Sequence, residues 1–396
     1  MIIKVLKYPW RFVKKTIKDR QTHNYVVNRV NAQLPSKAPF EFSNFKSTIL
    51  AFIRSMQADG SGIHYHYSVH CNQATLYSSA YACMTLSLLN EISKLPQETK
   101  ESWINYFQSF QREEDGLFYD GVVRNEHYGD SDWWGARHLA LHMISAYAAL
   151  DARPKHPFRF LERYYNEEYL MQWLKENEDA FLGAMDHDFD NKVMNISCLL
   201  QYQRDFWNDK DAGLAVERIQ KFLLKKINPT TGIWGDDNIT DPFLRSRKVQ
   251  FAYHLFPMFF YDQIYDFDLA KVVDVAMRTQ NKFGGFSPVS NSSACEDIDS
   301  MDILMRLCSF IKDADSKIDE TLRIGLKWIL LNQMEDGGFV FRLNEPFTYG
   351  HDQLSSPKNT GAVFPTWFRV LNIAYVCRLL KIPTDFKITR CPGYEF

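Results

Sequence analysis

Apolar and polar positions along the chain alternate at helical spacing over most of its length. Three segments are apolar on much of their circumference, as helices enclosed by other helices are: Tyr77–Leu89, Ala136–Leu150 and Met301–Cys308. The segment Asp319–Leu331 instead has one apolar face and one charged face, which predicts a helix exposed on one side. Alternation with a period of two, which is typical of strands, is nearly absent. The pattern therefore predicts an all-α protein with inner and outer helices.

A short turn motif recurs between these helices. It consists of Gln or Asn, a few polar residues, glycine, and then an aromatic or large apolar residue. Five copies are present: Gln57–Ile63, Gln111–Phe118, Asn228–Trp234, Gln280–Phe286 and Gln333–Phe339. Their spacing is about 53 to 58 residues once a sixth, degenerate copy is placed near Trp173–Gly183, which leaves room for two helices in each repeat.

Six such helix pairs are expected to close into a ring, because an open array needs polar caps at both ends and none is recognisable. The sequence therefore predicts one (α/α)6 toroid over residues 40–385, an N-terminal arm over 1–39 and a tail over 386–396. All inner helices then begin at one mouth of a central cavity. The loop 341–363 is long enough to cover that mouth.

The turn motifs resemble the QW-type repeats of the terpenoid cyclase and protein prenyltransferase superfamily, which is built on this toroid. The likeness is greatest over residues 228–380, where Asp297-Ile-Asp299-Ser300 stands in the place of the DxDD motif of class II terpene cyclases. The resemblance implies an enzyme of isoprenoid biosynthesis, an isomerase or lyase that cyclises a linear polyprenoid by protonating it. It makes Asp299 the proton donor and Asp297 its support. Ser300 replaces the third carboxylate, and His351 is expected to tune the acid group.

The acid chemistry of this motif has a structural alternative. Protonating an alkene requires a neutral carboxylic acid, which a group of carboxyls sharing protons provides. Alternatively, Asp297 or Asp299 caps a helix, and the neighbouring acids are solvated and favoured by the helix dipole. The cyclase needs no cofactor, and magnesium bound by these two aspartates is expected only if the substrate carries a diphosphate. A zinc site of the prenyltransferase type is not predicted, because Asp299 stands where that branch has cysteine and Phe364 where it has histidine.

A second group of candidate substrate-binding residues follows the second turn motif. Its members are Asp130, Asp132, Trp133, Trp134 and His138. The tryptophans suit a carbocation or a sugar ring, and the acids and the histidine suit acid–base chemistry. The alternative is that the aspartates cap a helix and the tryptophans fill the core. Arg245 and Arg247 are predicted to bind a diphosphate, or else to lie at a solvated loop edge.

Charge and composition narrow the class of partner. The net charge of −2 gives no overall positive field, so nucleic acid is not an expected partner. Residues 1–20 contain seven Lys and Arg against one Asp, interleaved with apolar residues. This is typical of a segment on an anionic membrane surface, and equally of an arm that packs its apolar side on the body. Seven scattered cysteines and the lack of a signal-peptide pattern predict a cytoplasmic protein, with at most peripheral membrane contact.

A different class of function fits the same fold. Many toroids of this kind bind or cleave glycans, using aromatic platforms and paired carboxylates at the mouth. The Asp, His and Arg residues of the mouth loops are more polar than a hydrocarbon cavity requires. A third hypothesis is a toroid without catalysis that binds a lipid or a protein partner. Fold alone does not separate these three hypotheses.

Overall fold

A computed structural model describes residues 7–33, 42, 44–123, 135–176, 178–179, 189–311 and 315–394, with the backbone alone at 7–17, 33 and 315–316. Thirteen α-helices lie in these ranges: α1 Lys7–Gln33, α2 Phe45–Ser55, α3 Leu76–Leu88, α4 Gln97–Gln108, α5 Ala136–Ala149, α6 Glu167–Glu176, α7 Phe189–Trp207, α8 Lys210–Leu224, α9 Pro242–Tyr261, α10 Leu269–Met277, α11 Ala294–Leu307, α12 Asp315–Leu331 and α13 Val363–Leu379. The 3-10 helices include Ile92–Lys94 and Arg159–Tyr165. A two-stranded antiparallel sheet joins β1, Phe347–Thr348, to β2, Ser355–Ser356.

Six helices, α3, α5, α7, α9, α11 and α13, form a closed inner ring. Each contacts the next one along the chain, and α13 contacts α3, which completes the circle. The inner helices are buried around most of their circumference: α3 buries twelve of its thirteen residues, whereas the outer helix α8 buries seven of its fifteen. The predicted (α/α)6 toroid is therefore confirmed.

The loops that precede the inner helices meet at one end of the ring. The amide of Val363 donates a hydrogen bond to the carbonyl of Tyr67 (3.0 Å), and the amide of Ala294 donates to the carbonyl of Phe341 (3.0 Å). The amide of Leu76, at the start of α3, donates to the carboxylate of Asp120 (2.6 Å). These bonds join loops of different repeats into a common rim, which we call the mouth.

The recurring turn motif joins each repeat to the next. The side-chain amide of Gln111 donates to the carbonyl of Gly116 (2.8 Å) within its own turn and to the carbonyl of His156 (2.8 Å) in the next repeat. Gln280 does the same with Gly284 (3.0 Å) and with Thr321 (2.8 Å). The motif thus follows from the stacking of helical hairpins in a ring.

Helix α11 begins seven residues before the predicted segment Met301–Cys308. The hydroxyl of Ser293 accepts a hydrogen bond from the amide of Glu296, and the Glu296 carboxylate accepts one from the amide of Ser293. This reciprocal capping box fixes the start of the helix at Ala294. Its first turn consequently carries Glu296 and Asp297.

The chain segments outside the ring pack against it at two places. In α1, Val26 is fully buried, and Arg29 donates to the carbonyls of Leu331 (2.6 Å) and Gln333 (2.6 Å) at the end of α12. At the other end of the chain, residues 391–394 are buried inside the ring. In the described ranges, none of the helices has the length and apolar character needed to cross a membrane.

Candidate functional site

Asp297 lies between the inner and outer helix layers, where its carboxylate accepts four hydrogen bonds. The donors are the amide of Phe286 (2.9 Å), the Ser292 hydroxyl (2.7 Å), the Trp328 indole (3.0 Å) and the Arg369 guanidinium (2.8 Å). Burial raises the pKa of Asp297, and the charge of Arg369 opposes that rise. The contacts of Asp297 tie three helices and a turn together.

Asp299 points to the other side of the same helix. Successive residues turn by about 100° around a helix axis, so positions 297 and 299 are about 200° apart. The charged groups that act on Asp299 include Asp190 and Arg247, which belong to α7 and α9 on the inner ring. Ser300 faces elsewhere, with its hydroxyl 3.0 Å from that of Thr279. The predicted acid motif is thus divided between two layers.

The Asp299 side chain is buried without a hydrogen-bonding partner in the part of the chain that the structure describes. Only 2% of the residue is exposed. Its pKa lies well above the usual value for Asp, because burial disfavours the charged form and the nearby charges of Glu296 and Asp190 add to this effect. Burial and the neighbouring acids thus favour the protonated form of Asp299.

Asp190 carries the opposite charge state at the start of α7. Its fully buried carboxylate accepts two bonds from Arg247, from Nη1 (2.9 Å) and Nη2 (3.2 Å), and lies 2.9 Å from Nδ1 of His254. Burial alone would raise the pKa of Asp190, but its interactions with His254 and Arg247 lower it. The side chains of Arg247 and His254 are 30% and 18% exposed, so solvent reaches this group.

Asp190 and Asp299 therefore form a pair of carboxyl groups with their pKa values pushed apart. Two neighbouring side chains lower the pKa of Asp190, whereas burial and nearby acids, Asp190 among them, raise the pKa of Asp299. Two titratable groups separated in this way can act as the base and the acid of one reaction. We call Asp190, Arg247, His254 and Asp299 the acid–base group.

A second polar group occupies the mouth beside α3 and α5. Nδ1 of His138 lies 2.8 Å from the Tyr77 hydroxyl, and Nε2 of His138 lies 3.2 Å from the Tyr349 hydroxyl and 3.1 Å from Nε2 of His142. Burial lowers the pKa of His138 to about 3, and the charge of His254 adds to this effect. His138 is therefore neutral and lies within electrostatic range of the acid–base group.

Tyr349 brings the last mouth loop into contact with this group. It follows β1, and its amide donates to the carbonyl of Leu354 (2.8 Å). Its ring stacks on Phe364 at 4.3 Å, and Phe341 stacks on Phe347 at 3.9 Å in the same loop. The loop lines one side of the mouth with half-buried aromatic rings.

The remaining predicted residues lie at different places. Arg245 and Arg247 diverge: Arg245 donates to the backbone carbonyls of Ile239 (2.6 Å) and Arg278 (3.1 Å), whereas Arg247 points to the acid–base group. His351 accepts a bond at Nδ1 from the amide of Gln353 (3.1 Å) and acts electrostatically on Asp120. Asp130, Asp132, Trp133 and Trp134 lie outside the described residues. Among the described residues, no group of three His, Cys, Asp or Glu side chains is arranged to hold a metal ion.

Sequence reasoning missed most of the partners in these two groups. His254, Tyr349 and His142 carry no motif and lie in repeats far apart in the chain. Asp190 stands at the start of an inner helix, where the toroid places residues at the mouth. This position was the only feature of the sequence that indicated a role for Asp190.

Comparison with known proteins gives likeness of fold. No family model and no curated protein matches the chain. Similar solved structures include a polysaccharide lyase, at 10% identity and a TM-score of 0.48, covering 87% of this chain and 99% of that one. Another is the GH76A α-1,6-mannanase from Salegentibacter sp. HEL1_6, at 9% identity and 0.42, covering 86% and 100%. A third is a GH76 α-mannanase of Bacteroides thetaiotaomicron, at 11% and 0.42, covering 86% and 96%.

The resemblance to terpenoid cyclases and prenyltransferases is wrong, and so are the predicted cyclase activity, the isoprenoid substrate and the role in isoprenoid biosynthesis. The solved structures named above are a polysaccharide lyase and α-mannanases, which act on glycans. The physical reason for the error lies in the turn motif. Its glutamine and glycine join neighbouring hairpins, as Gln111 and Gly116 do. The motif is therefore a feature of the toroid fold and does not indicate the substrate.

Proposed function

We propose that the protein is an enzyme that cleaves a glycan by acid–base chemistry at the mouth of the toroid. One observation carries this proposal: the Asp190 carboxylate is bound by Arg247 and His254, and the buried carboxyl group of Asp299 lies within electrostatic range of it. Glycosidic bonds break when one carboxyl group protonates the leaving oxygen and a second group activates the attacking nucleophile. The opposite pKa shifts suit Asp299 as the acid, and they suit Asp190 as the anion that stabilises a neighbouring base when it takes up a proton.

Asp299 acts as the proton donor to the glycosidic oxygen. Asp190 orients the His254 ring through Nδ1, which leaves Nε2 without a hydrogen bond to any described residue. His254 at Nε2 accepts the proton from the attacking water, and the negative charge of Asp190 stabilises the resulting imidazolium. Arg247 holds Asp190 in place through two parallel hydrogen bonds and fixes the geometry of the pair.

The aromatic loop supplies a surface for sugar rings. Phe347 and Tyr349 are half-buried in the mouth, and the Tyr349 hydroxyl is held by His138. Aromatic faces stack on the C–H surface of a pyranose while polar groups beside them bind hydroxyls, which is how clefts of mixed character recognise glycans.

The test is a cleavage assay on two panels of oligosaccharides. One panel is neutral and includes α-1,6-linked manno-oligosaccharides, and the other contains uronic acids. Mass spectrometry identifies the products, and a gain of one water separates hydrolysis from elimination, which leaves a double bond. We expect hydrolysis of a member of the panels by the wild type and a loss of 10²-fold or more in Asp299→Asn, since this change removes the transferable proton.

Two controls make the assay decisive. Asp302→Asn alters another carboxyl of α11 that acts on Asp299, and Asp302 already forms a salt bridge with Arg306 (3.0 Å), so cleavage is expected to persist. Thermal denaturation verifies that each variant is folded. Cleavage that survives in Asp299→Asn would overturn the assigned acid, and a folded wild type that cleaves no member of either panel would overturn the proposed function.

A further inference from the structure

The tail after α13 crosses the end of the ring opposite the mouth. The amide of Lys387 donates to the carbonyl of Leu88, the last residue of α3 (2.9 Å). The Arg390 guanidinium bonds to the carbonyl of Tyr261, the last residue of α9. Since α3 and α9 are separated by two inner helices on either side, these two anchors lie across the ring from each other. The tail therefore spans the lower opening.

Beyond Arg390 the chain enters the ring. Cys391 lies 3.9 Å from the Ser145 hydroxyl of α5 and bonds through its amide to the carbonyl of Tyr394 (3.1 Å). Gly393 has a φ of 89°, and a Cβ atom there would lie 2.8 Å from Cδ1 of Leu141 and 3.7 Å from Cβ of Cys198. Only glycine tolerates both the conformation and the contact. The tip is thus fitted between α5 and α7.

Tyr394 is the innermost described residue of the tail and lies under the polar group of the mouth. Its ring stacks on the His142 imidazole, with centroids 5.5 Å apart and planes 18° apart, and meets the edge of Trp367 at 5.2 Å. It is 6% exposed, and His142 is fully buried. From His142 the contacts continue through His138 to Tyr349 in the mouth.

We propose that Tyr394 is a positioning residue of the glycan site. Its side chain closes the ring at the end opposite the mouth, excludes water from the His142–His138 pair and holds the two imidazoles in place. This inference rests on the proposed function. A contact of 3.1 Å between two imidazole Nε2 atoms requires one N–H and one lone pair, so the pair persists only while both rings are not protonated together. Water admitted from below would favour protonation and break the chain that orients Tyr349.

The surroundings of His142 explain why the seal matters. The titratable groups that face it are His138 on its own helix, Tyr77 and Tyr81 from α3, and Tyr394 from the tail, whereas α13 contributes the uncharged Trp367. Burial is the main cause of the lowered pKa of His142, and the interaction with His138 adds to it. Because burial dominates, removing the ring that covers His142 should move this pKa back towards the ordinary value for histidine.

The experiment is a histidine titration of the full chain by NMR from pH 4 to 8, with signals assigned through His138→Gln and His142→Gln. In the wild type and in Tyr394→Phe, neither His138 nor His142 should titrate above pH 5. In Tyr394→Ala, at least one should titrate within about one unit of 6.5, the ordinary pKa of histidine. Gly393→Ala should give the same result, because its Cβ displaces the tip without removing the ring. Tyr164→Ala removes a buried ring from the outer layer and is the matched control.

Activity is measured on the same variants. The inference predicts that kcat of Tyr394→Ala falls at least tenfold below pH 6 and recovers above pH 7, with Tyr394→Phe close to the wild type. If neither His138 nor His142 titrates above pH 5 in Tyr394→Ala or in Gly393→Ala, the inference is overturned. Cleavage by the wild type would in that case still support the proposed function. If a histidine titrates newly in these variants but the wild type cleaves no glycan, the proposed function is overturned. Tyr394 would then only exclude water from the two histidines.

Discussion

Asp297 and Arg369 form a salt bridge inside the protein, with Oδ2 and Nη1 2.8 Å apart and both side chains fully buried. Arg369 also donates to the carbonyls of Val340 (3.0 Å) and Phe341 (3.0 Å), and the Trp328 indole donates to the same Asp297 oxygen. Two charges taken out of water are stable only with such a set of partners. The first aspartate of the predicted acid motif is thus a structural residue that joins α11, α12 and α13.

Breaking this pair should destabilise the fold. We expect Arg369→Met to lower the free energy of unfolding by about 3–5 kcal/mol, because it leaves the buried charge of Asp297 without its partner. The double variant Asp297→Asn/Arg369→Met should recover part of the loss. Urea denaturation measures each value, and Arg378→Met, at an exposed position of the same helix, is the control. A double variant no more stable than either single one would contradict this account.

The raised pKa of Asp299 predicts a dependence of stability on pH. The folded protein keeps a proton that the unfolded chain releases above about pH 4, so the stability linked to this proton is complete at low pH and is lost as the pH rises towards the folded-state pKa. Relative to Asp299→Asn, the wild type should lose about 1.4 kcal/mol per pH unit in that window. Urea denaturation of both proteins from pH 4 to 8 gives the difference, and a difference that does not vary with pH would exclude a buried neutral acid.

Asp190 should give the opposite slope. Its lowered pKa means that the anion stabilises the fold above the ordinary pKa of Asp, and that this stability is lost as the pH falls through the folded-state value. We therefore expect Asp190→Asn to be less stable than the wild type at pH 7, with the gap closing below about pH 4. The same denaturation series tests this, and a gap that widens at low pH would contradict the ionised state of Asp190.

The fold could be predicted from the sequence because its signals are local. Gln111 and Gly116 lie in one turn, and the apolar circumference of α3 and α5 is visible in single segments. The start of α11 also has a local signal, the Ser293–Glu296 capping box, but this signal consists of polar residues and does not show in the pattern of apolar positions.

The site could be predicted only in part, because it depends on ring closure. Asp190 and His254 are 64 residues apart, and their contact exists only where α7 and α9 pack side by side. Tyr394 reaches His142 through a tail that has no periodic pattern. For Asp297 and Asp299 the helical period itself separates the two side chains, but the resemblance to an acid motif suggested one cluster. Local patterns thus named Asp299 as a candidate but not the groups that act on its pKa.

Replacing His254 should reduce cleavage strongly and stability only slightly. Its side chain is 18% exposed and bonds to Asp190 through Nδ1. We expect His254→Gln to reduce kcat for glycan cleavage by 10²- to 10⁴-fold, because glutamine occupies similar space but accepts no proton from water. The free energy of unfolding should change by less than about 2 kcal/mol, since the Arg247 contact to Asp190 remains. His23→Gln, on the exposed side of α1, is the control, and a His254→Gln enzyme with the wild-type kcat would move the base to another side chain of the mouth.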